Sequence, residues 1–137
     1  MGNKINIKSG EIEVTAELND SETAAAVWEA LPVSSTVKTW GEEIYFEIPV
    51  EKEASPDARA EVKVGEMGYW STGKALCLFF GPTPASQGSE PRAASPVNPV
   101  GFISNDPAPL KKVTNGARIV VTRKDSLILH KITGEKL

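Results

Sequence analysis

Two aromatic-rich segments constrain the fold more than anything else in this chain. The first, Trp40-Gly41-Glu42-Glu43-Ile44-Tyr45-Phe46, passes from a glycine turn into alternating polar and apolar side chains. The second, Gly68-Tyr69-Trp70-Ser71-Thr72-Gly73-Lys74-Ala75-Leu76-Cys77-Leu78-Phe79-Phe80-Gly81, ends in a dense apolar run. Strict alternation marks a strand with two unlike faces, and a short apolar run bounded by turn residues marks a buried one. The segments hold two of the three tryptophans and both tyrosines. That much ring surface belongs in a core, on a binding face, or in both.

The rest of the chain is read by the same periods. Lys4 to Lys8 and Glu11 to Leu18 alternate on either side of Ser9-Gly10, which predicts a β-hairpin. Asp20 or Ser21 can cap a helix that runs to Leu31, with Glu22 near its positive end and Pro32 stopping it. Ala24, Val27, Trp28 and Leu31 form its apolar stripe, so Trp28 is assigned to the core. Strands are predicted at Thr36–Trp40 and Glu43–Val50, the latter with Ile44, Phe46, Ile48 and Val50 inward and Glu43, Tyr45 and Glu47 outward. Further strands are expected at Glu61–Trp70, Lys74–Phe80, Val100–Ile103 and Ala117–Arg123, with one helical turn at Leu110–Val113. Glu51–Glu61 reads as a charged loop. Gly81–Pro99, rich in Pro, Ser and Gly, reads as a long functional or mobile loop. The alternation places Ala75, Cys77 and Phe79 on the same side as Glu43 and Tyr45. Many short strands with one mid-length helix point to an all-β barrel with helical covers.

Composition narrows the function. At 137 residues the chain suits one domain, assigned to 1–124, with 125–137 as a C-terminal extension holding a possible strand at Ser126–Ile132. A net charge of −3 argues against a general nucleic-acid surface. No run is long enough to span a bilayer, and no leader-like succession opens the chain, so a cytoplasmic setting is expected. One cysteine and one histidine offer neither a disulfide nor a metal cluster, so no metal and no cofactor are expected.

The single groups carry little chemistry. Cys77 has no base near it in sequence, His130 lies in the tail, and Ser86 lacks hydrolase partners. Gly65, Gly68 and Gly73 precede no helix and form no phosphate loop. Glu42 and Glu43 are adjacent in a strand and so point to opposite sides. One of them is expected to hold backbone amides or to pair with Lys74 or Arg92.

The hairpin, the helix with Thr23-Ala24-Ala25, the strand entered from Thr72-Gly73, and Val100-Gly101-Phe102-Ile103 before Leu110-Lys111-Lys112-Val113 resemble the cyclophilin order of elements. A closer resemblance is to a group of small bacterial and archaeal cyclophilin-like proteins of unassigned function. It is carried by Thr39 to Phe46, Gly68-Tyr69-Trp70, Gly73 to Gly81 with Thr83-Pro84, and Val97-Asn98. It implies a closed eight-stranded β-barrel with one main helix and short helical turns.

Against true cyclophilins the chain departs at the site. The strand after the helix offers Val37, Lys38 or Thr39 where an arginine polarises the prolyl amide, and lysine lacks the planar fork. Gly68-Tyr69-Trp70 stands where a small apolar segment borders the proline pocket. Ala75 and Cys77 replace the substrate-facing glutamine and phenylalanine, and Ala93–Pro99 carries no histidine. The resulting reading is a small-molecule or peptide binding module without efficient prolyl isomerase activity. The alternative is an isomerase with an atypical site. The expected ligand-binding residues are Glu43, Tyr45, Tyr69, Trp70, Phe79 and Arg92, with no catalytic residue assigned. The expected partner is a small molecule or peptide rather than nucleic acid or membrane, and the expected state a monomer or weak homodimer.

Overall fold

In a computed structural model, the structure describes residues 3–124. The predicted strand at Ser126–Ile132, His130 and the C-terminal extension lie outside the described residues. The opening hairpin is β1 (Lys4–Ser9) and β2 (Ile12–Leu18), with Gly10 at φ +60° in the turn. Its register sets Ile5 opposite Ala16 and Ile7 opposite Val14, which puts the apolar alternation on one buried face. Helix α1 spans Glu22–Ala30. Ser21 is its cap, the hydroxyl accepting the Ala24 N–H at 3.1 Å. Ala24 and Val27 are buried. Trp28 is half-buried against the core and lies under the Arg123 guanidinium, 4.5 Å from the ring centroid.

The remaining strands are β3 (Val33–Thr36), β4 (Lys38–Thr39), β5 (Glu43–Glu47), β6 (Arg59–Glu61), β7 (Glu66–Trp70), β8 (Ala75–Phe79), β9 (Arg92–Ile103) and β10 (Arg118–Arg123). A 3-10 helix, Ala108–Lys112, lies before β10. The hydrogen-bonded order is β3-β10-β1-β2-β9-β7-β8-β5-β4, with β6 paired to β9 off that path, and every pairing is antiparallel.

The expected closed eight-stranded barrel is therefore wrong: ten strands form an open sheet whose ends are β3 and β4. The reason is visible at Val37, which separates those two strands. Its N–H donates to the Ala117 carbonyl and its own carbonyl accepts from the Gly116 N–H, while Thr39 N–H donates to the Asn115 side chain. Two segments one residue apart cannot turn back into a ladder with each other: β3 pairs with β10 and β4 with β5, and Val37 between them is tied to the turn before β10.

A second correction concerns Gly81–Pro99. Its latter part is strand: β9 begins at Arg92 and runs through Pro96 and Pro99. Proline normally demotes a strand, but here the ladder changes partner and register along β9. Arg92–Val97 pairs with β6, Pro99 and Asn98 face Gly68 and Tyr69 of β7, and a register shift separates Met67 from Gly68. The predicted strand over Glu61–Trp70 begins only at Glu66, and β6 lies at the end of what was read as loop.

Two buried clusters result. The main core joins Ile5, Ile7, Val14, Leu18, Ile44, Phe46, Met67, Tyr69, Leu76, Leu78 and Ile119 beneath α1 and the 3-10 helix. On the other face of β5, β8 and β7, the first half of β9 and the residue after β6 cover a smaller cluster. It consists of Val62, Cys77, Phe79, Ala93 and Val97, with Tyr45 and Trp70 packed against it.

Candidate functional site

The site lies on that second face. Glu43 pairs with Phe79, Tyr45 with Cys77 and Glu47 with Ala75 across β5 and β8, while Gly68 and Trp70 of β7 pair with Cys77 and Ala75. Residues in these registers share a face. The first half of β9 runs over this surface, and the space left between them is a pocket of about 190 Å³. Trp40, Glu43, Tyr45, Trp70 and Cys77 line it from the sheet; Ala93, Ala94, Ser95 and Val97 line it from β9.

Small residues make the geometry possible. A side chain at Gly68 would come within 2.4 Å of the Val97 side chain, so glycine there lets β9 close down on the sheet. Gly73 does the same for the Trp70 ring, which lies where its Cβ would stand, 2.5 Å away. Tyr45 meets Trp70 edge to face, with ring centroids 6.1 Å apart and planes at 86°. The pair forms a wall shared with a more polar cleft of about 540 Å³, bordered by Ser34, Ser35, Thr36, Lys38, Glu47 and Arg118.

Glu43 is the chemically singular group. It is only 5% exposed. Burial pushes its carboxyl up to about 7, although a hydrogen bond from the Cys77 thiol pulls it the other way. Burial and the adjacent Glu43 together push the Cys77 thiol well above its usual value, so it is an inert neutral donor. The four ion pairs among the described residues engage Glu51, Glu61, Glu66 and Glu90, and none involves Glu43.

Three of the six expected site residues meet here: Glu43, Tyr45 and Trp70. The other three do not. Tyr69 points into the main core, fully buried; its hydroxyl donates to the Val50 carbonyl at 2.5 Å and accepts from the Lys52 N–H at 3.3 Å. Phe79 is on the expected face but is sealed beneath Val62, Ala93 and Val97. Arg92 pairs with Glu61 and Glu90, both at 3.3 Å, and holds β9 to β6 rather than lining the pocket. Lys74 pairs with Glu51, and the Glu42 side chain lies against Gly81, so neither glutamate takes the expected partners.

Trp40, Cys77 and the Ala93–Val97 stretch were not assigned to the site from sequence. Trp40 stands in the opening aromatic motif, and the alternation places Cys77 on the correct face. Ala94 and Ser95 gave no signal, because nothing in their pattern marks a strand. No group of three or more His, Cys, Asp or Glu side chains that could hold a metal occurs among the described residues. Nor is any helix among them long and apolar enough to cross a membrane.

Comparison with known proteins agrees with the architecture. The chain is similar to the hypothetical protein AF2241 from Archaeoglobus fulgidus, solved in solution, at 40% identity and a TM-score of 0.77, over 89% of this chain and 95% of that one. No curated protein matches it. The family model described as cyclophilin-like matches residues 3–122. On that match, nearly the full described length, the chain belongs to the cyclophilin-like family.

Proposed function

We propose that this protein is a small-molecule binding module whose receptor is the pocket between β5, β8, β7 and the first half of β9. The observation that carries the reading is Glu43: a carboxyl group 5% exposed, facing a pocket walled by rings, with the Cys77 thiol as its hydrogen-bond partner and, among the described residues, no cation in the pocket lining. A buried carboxyl without a strong partner is unfavourable in a purely structural position, where an apolar side chain of similar size would pack better. The inner face of the same strand is filled in just that way, by Ile44 and Phe46.

Size supports a small molecule over a peptide. A dry cavity of about 150 Å³ accommodates a benzene ring. A pocket of about 190 Å³ suits one ring or a short branched chain with a polar end. Its lining is apolar apart from Glu43, Cys77, Ser95 and the polar edges of the rings, the composition typical of ligand sites. Efficient prolyl isomerisation is not part of this reading. The basic residue nearest the expected arginine position is Lys38, which is exposed on edge strand β4 and borders the neighbouring polar cleft.

A fragment library followed by thermal shift and by tryptophan emission tests the proposal, with Tyr45→Ala and Trp70→Phe as controls. We expect some fragments to raise the melting temperature of the parent and to do so markedly less in Tyr45→Ala. Ligands that stabilise parent and variants equally, or no ligand at all, would remove the pocket from consideration. In parallel, an Ala-Pro test peptide should interconvert at its uncatalysed rate. Acceleration that disappears in Lys38→Ala would replace this reading with an isomerase.

A further inference from the structure

The class of ligand follows from what surrounds Glu43. Among the described residues, no lysine, arginine or histidine lines the pocket. The titratable groups facing it are Glu43 and Tyr45 from β5 and Cys77 from β8; β7 contributes Trp70 and β9 contributes Ala93, Ala94, Ser95 and Val97, none of them charged. Arg92 is committed to Glu61 and Glu90 and Lys74 to Glu51, while Lys38 and Arg118 border the polar cleft on the other side of the Tyr45–Trp70 wall rather than the pocket itself. An ionised Glu43 therefore has only a thiol, a weak donor, to hold it. The walls that remain are the rings of Trp40, Tyr45 and Trp70, whose electron-rich faces attract cations and repel anions.

We infer that the pocket takes a small organic cation of about one ring's size, a primary or secondary ammonium whose N–H groups donate to the Glu43 carboxylate while its body lies among the rings of Trp40, Tyr45 and Trp70. This rests on the reading of the pocket as a binding site and specifies its chemistry. An anion meets a buried carboxylate with no compensating charge, and a neutral hydrocarbon leaves Glu43 as poorly paired as before. An ammonium supplies both the missing charge and the missing strong donors.

Binding is then linked to a proton. Because the free carboxyl titrates at about 7, a cation that requires the ionised form must displace the proton at lower pH. Affinity should fall about tenfold from pH 8 to pH 6, with proton release approaching one per ligand at pH 6. A neutral ligand that accepts a hydrogen bond from the protonated carboxyl would show the opposite trend.

The test is titration calorimetry with three matched pairs: benzylammonium and benzyl alcohol, phenethylammonium and phenethyl alcohol, cyclohexylammonium and cyclohexanol. The parent and Glu43→Gln are compared at pH 6 and pH 8, in buffers of differing ionisation enthalpy. Glu43→Gln keeps the shape of the pocket and removes its charge, and its melting curve checks that it folds. We expect the ammonium members to bind the parent more tightly than their alcohols at pH 8, to weaken about tenfold at pH 6, and to lose both preference and pH dependence in Glu43→Gln. If the alcohols bind as well as the ammonium ions, or Glu43→Gln binds the ammonium ions undiminished, the cation assignment fails while the pocket stands as a binding site. If no member of any pair binds, both fall.

Discussion

Strands β5, β8 and β7 present two faces made from the same fifteen or so residues, and the faces have been put to different uses. Inward, Ile44, Phe46, Leu76, Leu78, Met67 and Tyr69 are all buried in one cluster, and the one side-chain hydroxyl among them, that of Tyr69, has a donor and an acceptor. Outward, Glu43, Tyr45, Cys77 and Trp70 border a pocket, and the buried carboxyl is held by a thiol. Moving one residue along β5, from Ile44 to Glu43 or Tyr45, passes from a side chain whose role is packing to one that borders the pocket. A sheet covered on both faces need not leave such room; this one leaves the ring-walled pocket on the side away from the helix.

The sharpest way to break the comparison is to treat both faces alike. Phe46→Ala should destabilise by about 3–5 kcal/mol, because a fully buried ring is removed from a dense core. Urea denaturation would show this as a lower midpoint, and an unchanged midpoint would mean the inner face is no better filled than the outer.

Glu43→Gln tests the outer face in the opposite direction. The carboxyl titrates near 7 in the folded protein against an ordinary 4.5. A folded value raised above the unfolded one means that the neutral form favours folding. That contribution is fully present below about 4.5 and is lost as pH rises through about 7. Parent stability should thus decline over this window by up to about 3 kcal/mol from this group. The glutamine variant escapes the decline, so it should match the parent near pH 4.5 and exceed it at pH 8. A variant no more stable than the parent at pH 8 would show that the carboxyl is not strained by burial. Gly68→Ala is the smallest and most selective change. It forces Val97 away from the sheet, which should destabilise by about 1–3 kcal/mol and shift the pocket wall. Melting temperature and fragment affinity measured together would separate the two effects.

Alternation made the inner face readable in advance: Ile44, Phe46, Ile48 and Val50 are all buried, and the hairpin registers place their apolar residues together. It also put Glu43, Tyr45, Cys77 and Phe79 on one side. The same alternation separates Tyr69 from Trp70, since neighbours in a strand point to opposite faces, and only Trp70 of the two reaches the pocket. The cover was not readable. Prolines at 91, 96 and 99 hid β9, whose pairing switches from β6 to β7, and without β9 there is nothing to bury Phe79 or to engage Arg92. The ends of the sheet are equally out of reach of the pattern, because the one predicted strand Thr36–Trp40 lies where two segments flank Val37 and pair with different neighbours, β3 with β10 and β4 with β5.

The placing of β1 has a consequence for how the chain reaches this state. Ile5 faces Ala16 on one side and Arg123 on the other, while β2 meets β9 at Leu18 and Gly101. The first hairpin thus finds its flanking strands only when the far end of the described chain arrives. Loop-closure entropy is spent before those contacts form, which places the protein among slow folders of non-local topology, on the millisecond-to-second scale. Until then the hairpin's apolar face and both its edges are bare. A growing chain would carry that exposed ribbon through most of its own synthesis, and shortening it before β10 would leave β1 and β3 without a shared neighbour.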